Sequence, residues 1–394
     1  MYNYTTKGGR GASSLILVIR SGIHFPEDVD YKEGFIKDRA RRMKDMMDRI
    51  EKAWFRDKGS LPPTILALLY CHLAYFGGMG LILSLESVAM AIGTLVMAHG
   101  MVIAAYIIHD CGHNSVFRSS TRNAFLGKFL NWFTGGCYGS YEDLRANHMR
   151  HHVDNADVVI LDYRGYLARR PVERKIVEVL EWLYVPATEF LMHAALVLAP
   201  FIFEEKREQQ LRVIGVILVR FSLLAAVFAY SPLAYLCYLL AYWIFLTVLR
   251  FMDALQHNYG IVLASDNRSD RSRLLKHRGD RQYEQSHTFS NVISTRYPWL
   301  NLVTLNFGYH NAHHARPTAP WHKLPKLHES LYGRGAGGEK NFIIPFAKLL
   351  SSFHSGRVAR VFGDSMETEG NGFIENLHNG RAVGASGISF LTPL

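Results

Sequence analysis

Apolar residues in this 394-residue chain are gathered into a few long runs. Between Lys58 and Arg118 there is no Lys or Arg, and between Arg220 and Arg250 there is no charged residue of either sign. A bilayer core takes about 20 apolar residues per helical crossing, so each gap accommodates two crossings joined by a short turn. The first pair reads as 63–85 and 86–109, turning at Ser84 to Ser87; the second reads as 211–230 and 232–252, turning at Ser231-Pro232. A further apolar run at 182–203 is interrupted by Pro186 and Glu189 and ends at Pro200. It is expected to be interfacial or re-entrant, because a fifth crossing would put the chain's later polar segments on the opposite side from its first. The pattern therefore predicts an all-α membrane protein: four transmembrane helices in two hairpins, interfacial helices and a polar cap at one face.

Charge orients this arrangement. Neither hairpin turn carries Lys or Arg, whereas 37–58, the 118–175 connection and the chain after 265 are rich in them. By the positive-inside tendency both termini and the cap are expected in the cytoplasm. The formal net charge of +10 is spread over loops flanking the spans, which suits anionic lipid headgroups and argues against a nucleic-acid partner. The expected organisation is a cytoplasmic N-terminal segment at 1–60, a membrane domain at 61–350 and a flexible, Gly-rich tail at 351–394. Met43, Met46, Met47, Ile50 and Trp54 mark one side of an amphipathic surface helix in 37–58. The patch "SSLILVI" at 13–19 is too short for the apolar core of a cleavable signal. Cys71, Cys111, Cys137 and Cys237 form no C-x-x-C pair, which argues against a disulfide framework, a zinc ribbon or an iron–sulfur cluster. Arg220, near the middle of the third span, is expected to snorkel or pack against polar groups. His72 and His99 are expected to bond between helices.

The candidate chemistry lies in three short histidine boxes: "HDCGH" (His109, His113), "HMRHH" (His148, His151, His152) and "HNAHH" (His310, His313, His314). Residues three and four apart share a helix face, so each box can aim its imidazoles at one point. A site without thiolates but rich in imidazole suits iron, copper, zinc or nickel, and eight ligands exceed what one ion holds. Asp110, Asn114, Asp154 and Asn155 sit beside these histidines and are candidates to orient their second ring nitrogens. The zincin pattern H-E-x-x-H is absent, since His328-Glu329 lacks the second histidine. The E-x-x-H matches, Glu284 to His287 and Glu375 to His378, do not suggest a carboxylate-bridged bundle, the second lying in the Gly-rich tail.

The three boxes around two membrane hairpins resemble the integral-membrane fatty acid desaturase and hydroxylase superfamily over about residues 61–335. "HDCGHNSVF" is similar to the first box of acyl-lipid desaturases; "LQHNYG" (255–260) and "HTFSN" (287–291) resemble elements of alkane monooxygenases. The absence of H-P-G-G disfavours the front-end type with a fused cytochrome b5. The resemblance implies a non-haem di-iron centre with O₂ as co-substrate, an acyl-chain substrate drawn from the bilayer, and an external electron donor of ferredoxin, rubredoxin or cytochrome b5 type. It implies a desaturase acting on a fatty acyl chain, most naturally lipid-linked, in a bacterial inner membrane. The alternatives are a hydroxylase of an alkyl, acyl or isoprenoid chain and a non-enzymatic metal-binding membrane protein. Relatives commonly recruit a ninth histidine. His257 follows the fourth span as His109 follows the second, so depth favours it over His287, which is expected to support the site alongside Glu284 and Asn291.

Overall fold

The computed structural model describes residues 28–264, 276–333, 343–362, 370–379 and 382–385. The patch at 13–19 lies outside them, as does much of the C-terminal tail. The chain divides into two compact units, Met1–Ala53 and Trp54–Leu394. Helix α1 (Asp28–Trp54) exposes Met43, Met46, Met47 and Ile50.

Four helices are long and apolar enough to cross a membrane, and they fall where the charge-free runs put them: α2 (Leu61–Leu83), α3 (Ser87–Gly112), α9 (Gln210–Tyr230) and α10 (Pro232–Asp253). Between them lie α4 (Ser120–Thr134), α5 (Tyr141–Asp154), α6 (Tyr163–Ala168), α7 (Pro171–Trp182) and α8 (Ala187–Ile202). Proline opens α2 and α10 where its missing N–H costs nothing, and Ser231 caps α10 by accepting from the Ala234 N–H at 3.2 Å. The α2–α3 hairpin closes tightly at Gly78 and Gly93: a Cβ on Gly93 would stand 2.6 Å from the Gly78 carbonyl oxygen. Every residue of α3 from Gly100 to Gly112 is buried, which makes α3 the central span. Helix α9 buries only Val213, Val216 and Arg220 and leaves Leu211, Leu218, Phe221 and Leu223 exposed, as a lipid-facing helix does. Arg220 is packed within the protein, donating to the Trp132 carbonyl and the Tyr238 hydroxyl, each at 2.9 Å.

The run at 182–203 forms the 16-residue α8, about 24 Å long and short of a full crossing. Its Glu189 is buried in an ion-pair network with Glu181, Arg357 and Arg360, all 0–3% exposed. The two arginines lie on α14 (Phe346–Phe362), a helix that runs through the boundary expected at 350. This part of the expected flexible tail is packed, because its guanidiniums answer carboxylates that would otherwise be buried unpaired. His72 also departs from expectation: its Nδ1 faces the Leu68 carbonyl of its own helix at 2.6 Å. His99 does bond between elements, to Tyr70 and, at 2.9 Å, to the Val303 carbonyl.

Elsewhere the cap is built from short pieces: a two-stranded parallel sheet of β1 (Asp157–Val159) and β2 (Val262–Ala264), paired Asp157 to Val262 through Val159 to Ala264, with α11 (Arg281–Ser286), α12 (His310–Ala315), α13 (Leu324–Tyr332) and α15 (Gly370–His378). Removing one partner of a buried ion network leaves the other charge uncompensated. Arg360→Ala should therefore destabilise the folded protein by about 3–5 kcal/mol, read as an earlier thermal unfolding in detergent, whereas Arg42→Ala, in an exposed pair with Asp38, should leave the transition in place.

Candidate metal centre

Each histidine box is placed by a helix end. His109 lies in the last turn of α3 and His113 is its C-terminal cap; His148, His151 and His152 occupy the last two turns of α5; His310, His313 and His314 are on α12. Ser140 fixes the start of α5, accepting from the Asp143 N–H at 2.9 Å, and Asn155 ends it in the left-handed region at φ 50°. His257 follows α10 by four residues. Chain reversals after α3, α5 and α10 thus turn all the rings into one volume.

The rings sort into two buried tetrads. His109, His113, His148 and His313 form one; His151, His257, His310 and His314 form the other; in each, one ligand atom per residue lies within 4.8 Å of all the rest. Each tetrad draws on more than one box, so the sequence blocks do not correspond to separate sites. His152 joins Glu284 and His314 in a third grouping and is only partly buried. The ninth-ligand expectation places His257 in the second tetrad; His287 falls in neither, its Nδ1 facing the Tyr283 carbonyl at 2.9 Å and its ring stacked on Tyr283.

Hydrogen bonds to the outer nitrogens fix several tautomers. His151 Nδ1 lies 2.8 Å from the Ala156 carbonyl, so it carries the proton and Nε2 keeps its lone pair. His314 Nδ1 donates to Glu284 Oε1 at 2.9 Å, and its buried Nε2 has no hydrogen-bond partner among the described residues. Facing Nε2 atoms stand 2.7 Å apart between His113 and His148, 3.0 Å between His151 and His257, and 2.6 Å between His257 and His310. Two imidazole nitrogens each about 2.1 Å from one ion stand about 3.0–3.4 Å apart, so an ion would need the two shorter pairs to open by a few tenths of an ångström, and it is the convergence of four inward lone pairs within 4.8 Å that fits a transition metal in each tetrad. Burial, reinforced by neighbouring rings, holds His257, His310, His313 and His314 well below the usual imidazole range, and pushes His151 down to about 4. Neutral imidazole is the ligating form.

Among the expected supporting residues, Glu284 and Asp110 reach imidazoles. Glu284 binds His314 and the Arg281 guanidinium, each through one oxygen; burial raises its carboxyl above the ordinary range while Arg281 opposes the shift. Asp110 stands 3.5 Å from His109 Nδ1 and accepts from the Trp321 N–H. The others bond to side chains or backbone around the ligands. Asp154 pairs with Arg150 and Arg278. Asn155 donates to the His277 and Asp280 carbonyls, and Asn114 turns the chain after α3 at φ 53°. Asn291 joins the Met252 carbonyl to Gln256 Nε2. Sequence reading missed Gln256, Tyr259, which stacks on His257 with centroids 4.7 Å apart, and the Ser290–Asn311 pair beside His310; the one sequence signal, adjacency to a ligand, covers Gln256 and Asn311.

His257→Ala should lower bound divalent metal by one ion per chain in a metal-to-protein titration, while His287→Ala keeps the wild-type stoichiometry. The reverse pattern would reassign the second tetrad.

Comparison with known proteins agrees with the box pattern. The fatty acid desaturase family model matches residues 86–338, which include all three boxes and His257. A curated relative, "Probable fatty acid desaturase DES1" from Sorghum bicolor, is 28% identical over 233 residues, 55% of this chain and 56% of the relative. The chain thus spans little more than half of that relative's length. With the family match covering well over half of the sequence, the chain belongs to the fatty acid desaturase family.

Proposed function

We propose that this protein is an O₂-dependent di-iron desaturase that introduces a double bond into a fatty acyl chain, most naturally one linked to a lipid. The observation that carries this reading is the pair of buried, all-imidazole tetrads at the ends of membrane-spanning helices. Iron held there would supply the O₂-dependent redox chemistry needed to break an unactivated C–H bond. The protein's own contribution is to hold and to exclude. The Ala156 carbonyl and Glu284 keep protons on the outer nitrogens of His151 and His314, so their inner nitrogens stay free to ligate. Phe307 stacks on Tyr106 with centroids 4.5 Å apart and lies 5.2 Å from both His109 and His310. This apolar wall offers a methylene chain a dry contact beside the ligands and leaves little room for water.

Electrons come from a separate carrier of ferredoxin, rubredoxin or cytochrome b5 type, since the sequence carries neither a C-x-x-C pair nor H-P-G-G. The excess of Lys and Arg in the segments that carry the boxes supports a cytoplasmic active site and cytoplasmic termini, in a bacterial inner membrane. A hydroxylase is the second reading, favoured by "LQHNYG" and "HTFSN", which resemble alkane monooxygenase elements. Desaturation and hydroxylation share a first hydrogen abstraction and diverge in the second step.

Expression in a host with an active electron-transfer chain, combined with mass spectrometry of its lipids, separates the readings. Desaturation predicts acyl chains lighter by two hydrogens; chains heavier by one oxygen assign the hydroxylase; no change with iron-loaded protein contradicts both. An N-terminal tag should be reachable only from the cytoplasmic side, and periplasmic labelling would contradict the two-hairpin topology.

A further inference from the structure

His257 and His310 are held differently from the other two rings of their tetrad. His151 has the Ala156 carbonyl and His314 has Glu284, but the buried Nδ1 atoms of His257 and His310 have no hydrogen-bond partner among the described residues. At His257 no hydrogen bond fixes that outer nitrogen, so apart from the contacts of its Nε2 with His151 and His310 the ring is placed by the backbone of 254–258 and by stacking on Tyr259. One flank of that backbone is gripped by the segment before the third box: the Phe289 N–H donates to the Gln256 carbonyl at 2.8 Å, and the Asn258 N–H to the His287 carbonyl at 3.0 Å.

The other flank is gripped by the C-terminal segment, which lies beyond the family match at 86–338. The Ala385 N–H donates to the Ala254 carbonyl at 3.0 Å, and Arg250, 1% exposed, returns a bond to the Ala385 carbonyl at 2.6 Å. Gly384 passes so close that a Cβ there would stand 2.0 Å from the Ala254 oxygen, and its φ of +68° suits glycine. Behind this contact, Phe373 and Leu377 of α15 pack with Leu349 and Phe353 of α14 on Ala254, Leu255 and Phe289. The same segment reaches the third box: the Ile344 N–H donates to the Ser290 carbonyl at 2.7 Å, and Ser290 Oγ bonds Asn311, next to His310.

We propose that the described C-terminal residues 343–362, 370–379 and 382–385 are a positioning element for the second tetrad, clamping the 254–258 backbone so that His257 meets His151 and His310. The proposal rests on the two-metal reading above. Gly384 is its most specific contact, because any side chain there pushes on the carbonyl three residues before His257. The clamp acts on one tetrad, whereas loss of general packing would affect both.

The test titrates purified full-length protein with cobalt(II) alone, tracking ligand-field absorption and bound metal per chain, with helical content measured in parallel. Wild type should bind two ions. Gly384→Ala should bind one as wild type does and the other at least about tenfold more weakly, with helical content unchanged; Phe373→Ala should shift the same site in the same direction. Gly333→Ala is the control, since Gly333 also has positive φ, +80°, but open space around it; it should bind two ions normally. If Gly384→Ala binds both ions with wild-type affinity, or loses both together with helical content, the C-terminal segment is no positioning element and the proposal is overturned. If wild type itself binds fewer than two ions, the two-metal reading falls and takes this proposal with it.

Discussion

An imidazole buried out of water needs a partner for each ring nitrogen, and a neutral ring brings only one proton. Two facing Nε2 atoms can share one hydrogen bond, but His257 Nε2 faces both His151 and His310, and His151 already spends its proton on the Ala156 carbonyl. Hydrogen bonding alone leaves buried nitrogens such as His314 Nε2 without a partner among the described residues, at a cost of about 1–3 kcal/mol each. A metal ion in each tetrad would take the inward lone pairs, while the Ala156 carbonyl and Glu284 take the outward protons of His151 and His314. The rest of the cap can be understood as what holds the rings in place against their mutual crowding.

That holding is done by rigid elements and by bonds to backbone. The fully buried second half of α3 presents His109 from the central span, and α5 is capped at both ends around the second box. Gln256, Asn291 and the Met252 carbonyl tie the exit of α10 to the segment that leads into the third box. On the proposed reading, a polar network next to the apolar spans suits a site that serves two phases, with an acyl chain partitioning into lipid and protons and electrons arriving from water.

Sequence revealed the membrane architecture almost completely. Charge-free runs are imposed by the bilayer on each segment separately, so the four spans emerged within a few residues of Leu61–Leu83, Ser87–Gly112, Gln210–Tyr230 and Pro232–Asp253. Box spacing and the depth of His257 likewise depend on local geometry, and the structure brings those residues together. Grouping was not legible, because nothing in the chain order says that His313 joins the first tetrad while His310 and His314 join the second. Nor was the packed C-terminal helix: nothing in the sequence around Arg357 and Arg360 pairs them with Glu181 and Glu189, some 170 residues earlier. Asp154 and Asn155 sit next to ligands in sequence but support the turn beneath them, a role that only the fold reveals.

On the reading above, two separate ions are each held by a tetrad of neutral imidazoles. X-ray absorption at the iron edge of the iron-loaded protein tests it most directly. Two irons per chain are expected, with a first shell dominated by nitrogen at about 2.1 Å and the outer-shell scattering of about four imidazole rings per iron. A shell dominated by carboxylate oxygen or by sulfur, or a single iron per chain at full loading, would contradict it.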